Sequence, residues 1–218
     1  MVIALLYMLR AGCPWRDLPG QIPWRTVYGY FAQWRDNGTW DTILKRLHQR
    51  VHGRLFCIDS TYVRVHRSGA NPAGGQALQA MGPSRGGLTS KIHAVVDRYA
   101  KPVALVLSAG NVGDTVAAPE LIAQINSATC STLVGDKGYD SDPLRIALYE
   151  REIFPCLAAL STRVEKRPFH KGFYRHRHRV ENFFCALKTH RRIATRYEKL
   201  ASSFLAFVSI ASILHWIR

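Results

Sequence analysis

Three acidic residues in the sequence are candidates for chemistry because of the residues around them. Asp59 and Asp136 each follow a short apolar run, and an ionised carboxylate at the edge of a core is costly unless it is paired or bound to a cation. Each aspartate alone suits a structural role equally well, Asp59 as a turn cap and Asp136 as a partner of Lys137. Together, at two strand ends, they favour a site for a hard divalent cation such as Mg²⁺.

The third acid, Glu181, lies in a strongly basic segment. Residues 163–199 contain twelve Lys or Arg but only three acids. On a helix, Tyr174, Arg177, Glu181 and Lys188 would fall within roughly a 60° sector of one face. A solvated face of ion pairs is the alternative. An acid in so basic a stretch is better explained as a ligand in a phosphate-binding groove.

Three carboxylates around two divalent ions suit in-line displacement at phosphorus, because one ion activates the attacking oxygen and the other stabilises the leaving oxygen. Arg177, Lys188 and their basic neighbours would then hold phosphate groups. We therefore predict that Asp59, Asp136 and Glu181 are both the catalytic residues and the metal ligands, with Mg²⁺ or Mn²⁺ as the cofactor.

The overall charge supports a polyanionic partner. The 218 residues include 30 Lys and Arg against 15 Asp and Glu, which gives a net charge of +15. Neutralising phosphates with such a surface releases condensed counterions. A ribosomal or membrane-surface protein is the alternative, but five Trp and 47% apolar residues indicate an ordinary globular core.

The cysteines and the apolar termini bear on location. Five scattered cysteines without a C-x-x-C pair favour a reducing compartment over a disulfide framework. The apolar run at residues 1–9 lacks the features of a signal peptide, and the run at 204–217 is too short to span a bilayer, so it predicts a buried helix. We expect a cytoplasmic, nucleoid-associated protein with no membrane partner.

The middle and end of the chain alternate strand and helix patterns, which predicts a mixed α/β (α+β) fold with a central sheet and helices packed on it. In this scheme Asp59 ends or interrupts the first strand and Asp136 ends the fourth, so neighbouring strands would bring them together. The predicted strands cover 55–59 continuing through 62–66, 89–96, 102–107, 131–136 and 153–156, and the predicted helices 114–125, with Asp114 as N-cap, 142–151 and 174–189.

The first 52 residues read as three helices, at 1–10, after Pro23, and at 40–52, separated by turn-rich segments. This pattern fits a helix-turn-helix DNA binder and a plain helical packing module equally well. We predict a helical, DNA-binding region at 1–52 and a catalytic domain at 53–218. A long Gly- and Pro-containing loop at about 68–87 is predicted to be functional or disordered.

At these residues the chain resembles the DDE transposases of bacterial insertion sequences, in the branch with a Y-(2)-R-(3)-E-(6)-K signature. The resemblance covers nearly the whole chain and rests on several segments. These are Tyr174, Arg177, Glu181 and Lys188 for the signature, 57–61 and 133–139 around the two aspartates, and 14–19, 86–93 and 110–114 elsewhere.

The resemblance implies a ribonuclease H-like core with helices on both faces, preceded by the small helical region. It also implies Mg²⁺- or Mn²⁺-dependent cutting at transposon ends and transfer of the freed 3′-OH into target DNA. The expected partners are double-stranded DNA, as terminal inverted repeats and target, and a second copy of the chain or more on DNA. The predicted DNA-contacting residues are Tyr174, Arg177, Lys188, Lys91, Arg85, Arg191 and Arg192.

Family members usually carry more residues before the helix that opens this chain. A truncated copy, a misassigned start or half of a frameshifted pair would explain the difference. The alternative function is therefore a non-catalytic, DNA-binding remnant or inhibitor of transposition. A general nuclease on the same fold is a third reading, which the lysine-bearing signature disfavours.

Overall fold

The computed structural model describes residues 1–51, 53–163, 167 and 169–217. Helices and strands alternate after an all-helical start, as the sequence pattern predicts. In chain order they are α1 (Val2–Ala11), α2 (Trp24–Asp36), α3 (Thr39–His48), β1 (Leu55–Val65), β2 (Gly82–Ser84), β3 (Gly87–Asp97), β4 (Pro102–Ala109), α4 (Asp114–Ala123), β5 (Thr132–Gly135), α5 (Asp142–Tyr149), β6 (Phe154–Leu157), α6 (Lys171–Tyr174), α7 (His178–Lys188), α8 (Arg191–Ala194), β7 (Thr195–Arg196) and α9 (Ala201–Ile217).

The sheet is mixed, with β1 near its centre. Strand β3 pairs antiparallel with both β1 and β4, while β5 runs parallel to β1 and β6 parallel to β5. The resulting order is β4-β3-β1-β5-β6, with the short strands β2 and β7 added to β3 and β1. Three antiparallel strands followed by two parallel ones, joined through helices, give the ribonuclease H-like arrangement that the resemblance implies.

Helices cover both faces of the sheet because successive side chains of a buried strand point to opposite sides. On β1, Phe56 and Ile58 join one apolar cluster with α4 and α5, whereas Cys57 joins a second cluster with α7 and α9. The same alternation directs Asp59 toward the side of α7. The predicted α/β fold with a covered sheet is confirmed.

The N-terminal helices share a core with the C-terminal helix. Phe31 of α2 stacks on Phe207 of α9 with ring centroids 4.6 Å apart, and both side chains are buried. The buried helix predicted for the apolar C-terminal run is therefore present as α9. In the described ranges no helix is long and apolar enough to cross a membrane. The domain boundary near residue 52 and the helix-turn-helix interpretation stay predictions.

Two elements differ from the predicted ones. Strand β1 does not end at Asp59, because its antiparallel ladder with β3 continues from Phe56 to Arg64; only the parallel pairing with β5 stops, at Ile58. The helix predicted for 174–189 is broken by a 3₁₀ turn at Arg175–Arg177. The predicted loop at 68–87 contains two 3₁₀ turns and β2, so it is partly ordered.

Candidate active site

The register of two parallel strands brings the two aspartates together. Ile58 of β1 lies opposite Gly135 of β5, so Asp59 and Asp136 are each the next residue beyond the last pair. Gly135 permits this close packing, since a Cβ there would lie 2.8 Å from side-chain atoms of Ile58 and Leu157. Two residues 77 positions apart in sequence thus become neighbours at one edge of the β1–β5 ladder.

Glu181 reaches the same place from the first turn of α7, through an arginine. Arg177 donates from Nη1 to Oδ2 of Asp59 at 3.0 Å and forms an ion pair with Glu181, in which Nη2 lies 2.5 Å from Oε1. Its guanidinium therefore lies between two of the three predicted carboxylates. The structure brings all three acids to one site, with a resident cation among them.

The electrostatics of Asp59 reflect this crowding. The pKa of its carboxyl group is raised to about 6: burial is the largest cause, the negative charges of Asp136 and Glu181 add to it, and the Ser60 N–H and Arg177 act against it. The Ser60 N–H donates to Oδ1 of Asp59 at 2.8 Å. A bound cation would favour the ionised form of Asp59, because it would offset both the burial and the repulsion.

A fourth carboxylate, Asp114, adjoins the site; the sequence favours a helix cap for it and leaves support of the metal site as the alternative. The cap prediction is wrong, because Gly113 is the N-cap of α4 and Asp114 makes no capping bond. Instead its Oδ1 accepts hydrogen bonds from Ser60 Oγ at 3.0 Å and Lys91 Nζ at 2.8 Å. A helix-starting aspartate is ordinarily a cap, so only the Asn-x-x-Asp segment resembling the family hinted at this role.

Gly138 leaves open space between two of these carboxylates. A Cβ at this position would lie 3.0 Å from Oδ1 of Asp136 and 3.2 Å from Oδ2 of Asp114. The Gly138 N–H also donates to Oδ1 of Asp136 at 2.9 Å, which fixes that carboxylate. A glycine here keeps the two acids accessible to a small cation.

Lys91 and His93 lie on the same side of β3, as their alternation predicts, and both are buried. Lys91 donates to the Val112 carbonyl at 2.7 Å as well as to Asp114. His93 lies between Tyr139 Oη, 3.1 Å from its Nδ1, and the hydroxyl of Ser108, 2.7 Å from its Nε2. Burial lowers the pKa of His93 to about 4, so this ring is neutral at physiological pH.

An open groove of about 760 Å³ leads away from Lys91. Arg85 is exposed at its rim, and the backbone of residues 110–113 forms the opposite wall. Lys91 Nζ lies 4.9 Å from the ring centroid of Tyr62, which is half exposed. The groove joins basic and aromatic side chains next to the acids, a combination suited to a nucleic-acid strand.

The remaining predicted DNA contacts have different surroundings. Lys188 is exposed and donates to Thr61 Oγ1 at 2.6 Å, and Tyr174 packs against Phe169 at 4.8 Å between ring centroids. Arg191 is exposed in a separate depression with Tyr7 and Arg10 of α1.

Arg192 is corrected by the structure. Its guanidinium is buried, donates to Oε1 of Glu198 at 2.6 Å and to the Cys13 carbonyl at 2.7 Å, and lies over Trp15 and Phe207. These contacts leave no surface for a phosphate. We therefore remove Arg192 from the predicted DNA-contacting residues and regard it as a link between the N-terminal region and α8.

The donor set fits a hard divalent cation in type and charge. Asp59, Asp136 and Glu181 offer only oxygen ligands, which Mg²⁺ and Mn²⁺ prefer. In the ion pairs of the described residues, Asp59 and Glu181 share one cation, Arg177, and Asp114 pairs with Lys91, so carboxylates outnumber their paired cations. Within the described residues no group of three potential ligands already converges on one point. At this site Arg177 contacts both Asp59 and Glu181.

Comparison with known proteins identifies the family. Residues 51–216 match the family described as "Transposase DDE domain", and residues 1–44 match "Putative transposase of IS4/5 family". This chain belongs to the DDE transposases of bacterial insertion sequences. Its class of activity is DNA transposition, by cutting and strand transfer, and membership implies binding of DNA and use of a divalent metal ion.

Relatives of this transposase point the same way. It is 32% identical over 138 residues to a putative transposase for insertion sequence element IS6501 of Brucella ovis, covering 60% of this chain and all of that one. It is also 29% identical over 171 residues to a putative transposase for IS402 of Burkholderia cepacia, covering 74% of each.

Among solved structures, the Mos1 strand transfer complex matches with a TM-score of 0.35 and 12% identity. The match covers 70% of this chain and 59% of that one. A likeness this weak supports no transfer of residue roles.

Proposed function

We propose that Asp59, Asp136 and Glu181 are the catalytic carboxylates of this transposase and hold two divalent ions, Mg²⁺ or Mn²⁺. The observation that carries the proposal is the β1–β5 register, which sets the two aspartates side by side, together with Arg177, which connects Glu181 to Asp59. Acids from a strand, a loop and a helix are near enough here for Asp136 and Glu181 to act electrostatically on Asp59.

The ions, when bound, would supply activation of the attacking oxygen and stabilisation of the leaving oxygen at phosphorus. The chain's own contribution is to hold the oxygen ligands at fixed positions. Ser60 and Gly138 do this by donating backbone N–H groups to Asp59 and Asp136. The attacking groups would be water in the cutting step and the DNA 3′-OH in the joining step.

The proposed DNA path runs along the groove beside the acids. Arg85 and Lys91 line the groove on one side, and Lys188 lies on the α7 side, where it contacts the Thr61 and Tyr62 segment of β1. The proposed substrates are double-stranded terminal repeats and target DNA. Two transposon ends must meet for strand transfer, so we propose a dimer or higher assembly on DNA, located with the nucleoid in the cytoplasm.

A second candidate is a DNA-binding remnant or inhibitor without catalytic activity. The position of Arg177 favours it, because the guanidinium already occupies the space between two of the three proposed ligands. The two candidates differ in one measurable property. A remnant binds DNA with a steep dependence on salt concentration but does not cut it.

The decisive experiment uses a supercoiled plasmid that carries the element's own terminal repeats. With Mg²⁺ or Mn²⁺ the wild-type protein should nick at the repeat ends, and Glu181→Gln should lower the rate at least about a hundredfold. Glu150→Gln, an exposed acid after α5, serves as the matched control. Unchanged cutting by Glu181→Gln overturns the assignment. DNA binding without any cutting by the wild type establishes the remnant instead.

A further inference from the structure

The arginine inside the acid cluster is unusual for a phosphate-binding residue. Each of its two terminal nitrogens contacts a different carboxylate, Asp59 through Nη1 and Glu181 through Nη2. Arg177 ends the 3₁₀ turn before α7, four residues before Glu181, whereas Asp59 lies 118 positions away on β1. The Arg177 guanidinium therefore joins Glu181, which is close in sequence, to Asp59, which is distant.

In the metal-free protein, this arrangement offsets the electrostatic repulsion among the acids. The negative charges of Asp136 and Glu181 act on Asp59, which is itself largely buried. Without a cation these acids would repel one another. The guanidinium is always charged, and its planar fork can bind two carboxylates at once. Arg177 thus takes the place that a divalent ion would take.

The Arg177 guanidinium and a divalent metal ion would compete for the same carboxylate oxygens of Asp59 and Glu181. A divalent ion bound to Asp59 and Glu181 would lie within a few ångströms of the guanidinium, where like charges repel strongly. Arg177 must therefore leave at least one carboxylate before both can bind the ion. It needs another anion to accept it, and a DNA phosphate is suitable, since it offers the same paired oxygens as a carboxylate.

We propose that Arg177 is a positioning residue that acts as a resident counter-ion: it keeps Asp59 and Glu181 together in the absence of metal and DNA, and it yields them to the metal when a DNA phosphate accepts its charge. The inference rests on the proposed function, since it takes Asp59 and Glu181 as metal ligands. Metal binding and DNA binding then strengthen each other, because coupling between two ligands is reciprocal.

The test measures Mn²⁺ binding, by calorimetry or electron paramagnetic resonance, in the full chain without DNA. Arg177→Gln should bind Mn²⁺ about tenfold more tightly than the wild type, because the competing cation is gone. Arg175→Gln removes an exposed charge two residues away and should leave Mn²⁺ affinity unchanged. Adding a DNA duplex with a terminal repeat should tighten Mn²⁺ binding by the wild type but not by Arg177→Gln.

Thermal unfolding gives a second readout that a merely structural role would not produce. In chelator, Arg177→Gln should unfold at a lower temperature than the wild type. Addition of Mn²⁺ should raise the unfolding temperature of Arg177→Gln by more than it raises that of the wild type. Arg177→Lys retains the positive charge but not the planar fork, so its unfolding temperature in chelator should lie between those of the wild type and Arg177→Gln. If Arg177→Gln does not fold, Arg177→Lys takes its place in the comparison.

Two failures are distinguishable. Equal or weaker Mn²⁺ binding by folded Arg177→Gln and Arg177→Lys overturns the counter-ion role and leaves the proposed function intact. Absence of Mn²⁺ binding in every variant, with and without DNA, overturns the metal site itself and the proposed function with it.

Discussion

Two ionic clusters in this transposase are opposites in charge. At the active site a cation, Arg177, lies between two carboxylates. Nearby, just after Tyr139, an anion lies between two cations: Asp140 accepts from Arg145 Nε at Oδ1 and from Arg163 Nε at Oδ2, each at 2.9 Å. The Arg177 cluster joins residues 118 positions apart and the Asp140 cluster residues at most 23 apart, and their surroundings also differ.

The Asp140 cluster is complete as it stands. The side chain of Asp140 is fully buried, and it also accepts the Leu160 N–H at 2.9 Å. Although burial raises its pKa, the Leu160 N–H, Arg145 and Arg163 outweigh that effect and hold the pKa below the ordinary value. Both oxygens of Asp140 have donors and the carboxylate has counter-charges, as a structural buried ion pair requires.

The Arg177 cluster is incomplete by the same criteria. Its side chains are 16–47% exposed, and carboxylates outnumber the cations around them. The pKa of Asp59 is raised to about 6, mainly by burial, whereas the pKa of Asp140 is lowered. A buried cluster whose carboxylate is fully paired stabilises the fold, and an accessible cluster with unpaired carboxylate charge has capacity for a further cation. Four experiments test this contrast.

The largest effect is expected at the unbalanced cluster. Asp136→Asn should lower DNA cutting at least about a thousandfold, because a lost metal ligand removes several kcal/mol of transition-state stabilisation. The fold should be retained, since the amide oxygen can still accept the Gly138 N–H and one source of repulsion on Asp59 disappears. Cleavage assays and urea unfolding measure the two properties. A variant that unfolds easily would show that the acids are structural.

At the Asp140 cluster the effect should fall on stability. Asp140→Asn leaves Arg145 buried without a counter-charge and should lower the free energy of unfolding by about 3 kcal/mol. Mn²⁺ should not restore it. Asp142→Asn, which removes an exposed partner of Arg163, is the control and should lower the free energy of unfolding far less than Asp140→Asn. Equal losses in both variants in urea unfolding would contradict the contrast.

The candidate acids and the pairing of the two strands that lead to the aspartates were predictable from local signals. Apolar runs ending in Asp59 and Asp136, and an acid in a basic helix, are visible in the residues themselves, and the strand pattern predicts the ladder between them. These inferences need only periodicity and residue type. The family match confirms the function they predict, while the roles of the individual acids stay proposals.

What could not be predicted depends on contacts between distant segments. The sequence favours a helix cap for Asp114, whereas in the structure Asp114 contacts Ser60 on β1 and Lys91 on β3. The sequence predicts a DNA contact for Arg192, whereas in the structure Arg192 binds Glu198 and the Cys13 carbonyl of the N-terminal region. The position of Arg177 between two acids requires both the break in the long helix and the register of β1, and neither is marked in the sequence.

A third experiment concerns Asp114, which borders the unbalanced cluster. Asp114→Asn should lower DNA cutting by about ten- to a hundredfold, since groups that orient metal ligands and phosphate-binding lysines typically have effects of this size. The amide can still accept from Ser60 or Lys91, so stability should change little. Asp41→Asn, an exposed acid in α3, is the control for charge alone. Cutting at the wild-type rate would exclude Asp114 from the site.

The smallest effect is a change in pH dependence at His93, which connects the two regions through Asp114 and Tyr139. Burial lowers its pKa from 6.5 to about 4, so between these pH values the unfolded chain binds more protons than the folded one. Stability from His93 is therefore present above pH 6.5 and is lost as the pH falls toward 4, with a slope of at most about 1.4 kcal/mol per pH unit.

His93→Gln should flatten that slope in urea unfolding of the metal-free protein at pH 7, 5.5 and 4.5 (about one unit apart, on the scale of the titration). Asp59 acts with the opposite sign, because its pKa is raised to about 6, but it does so in both proteins and cancels in the difference. His66→Gln, at an exposed position, should keep the wild-type slope. Equal slopes in all three proteins would mean that His93 takes up its proton without unfolding, and that the acid cluster is more open to water than its burial indicates.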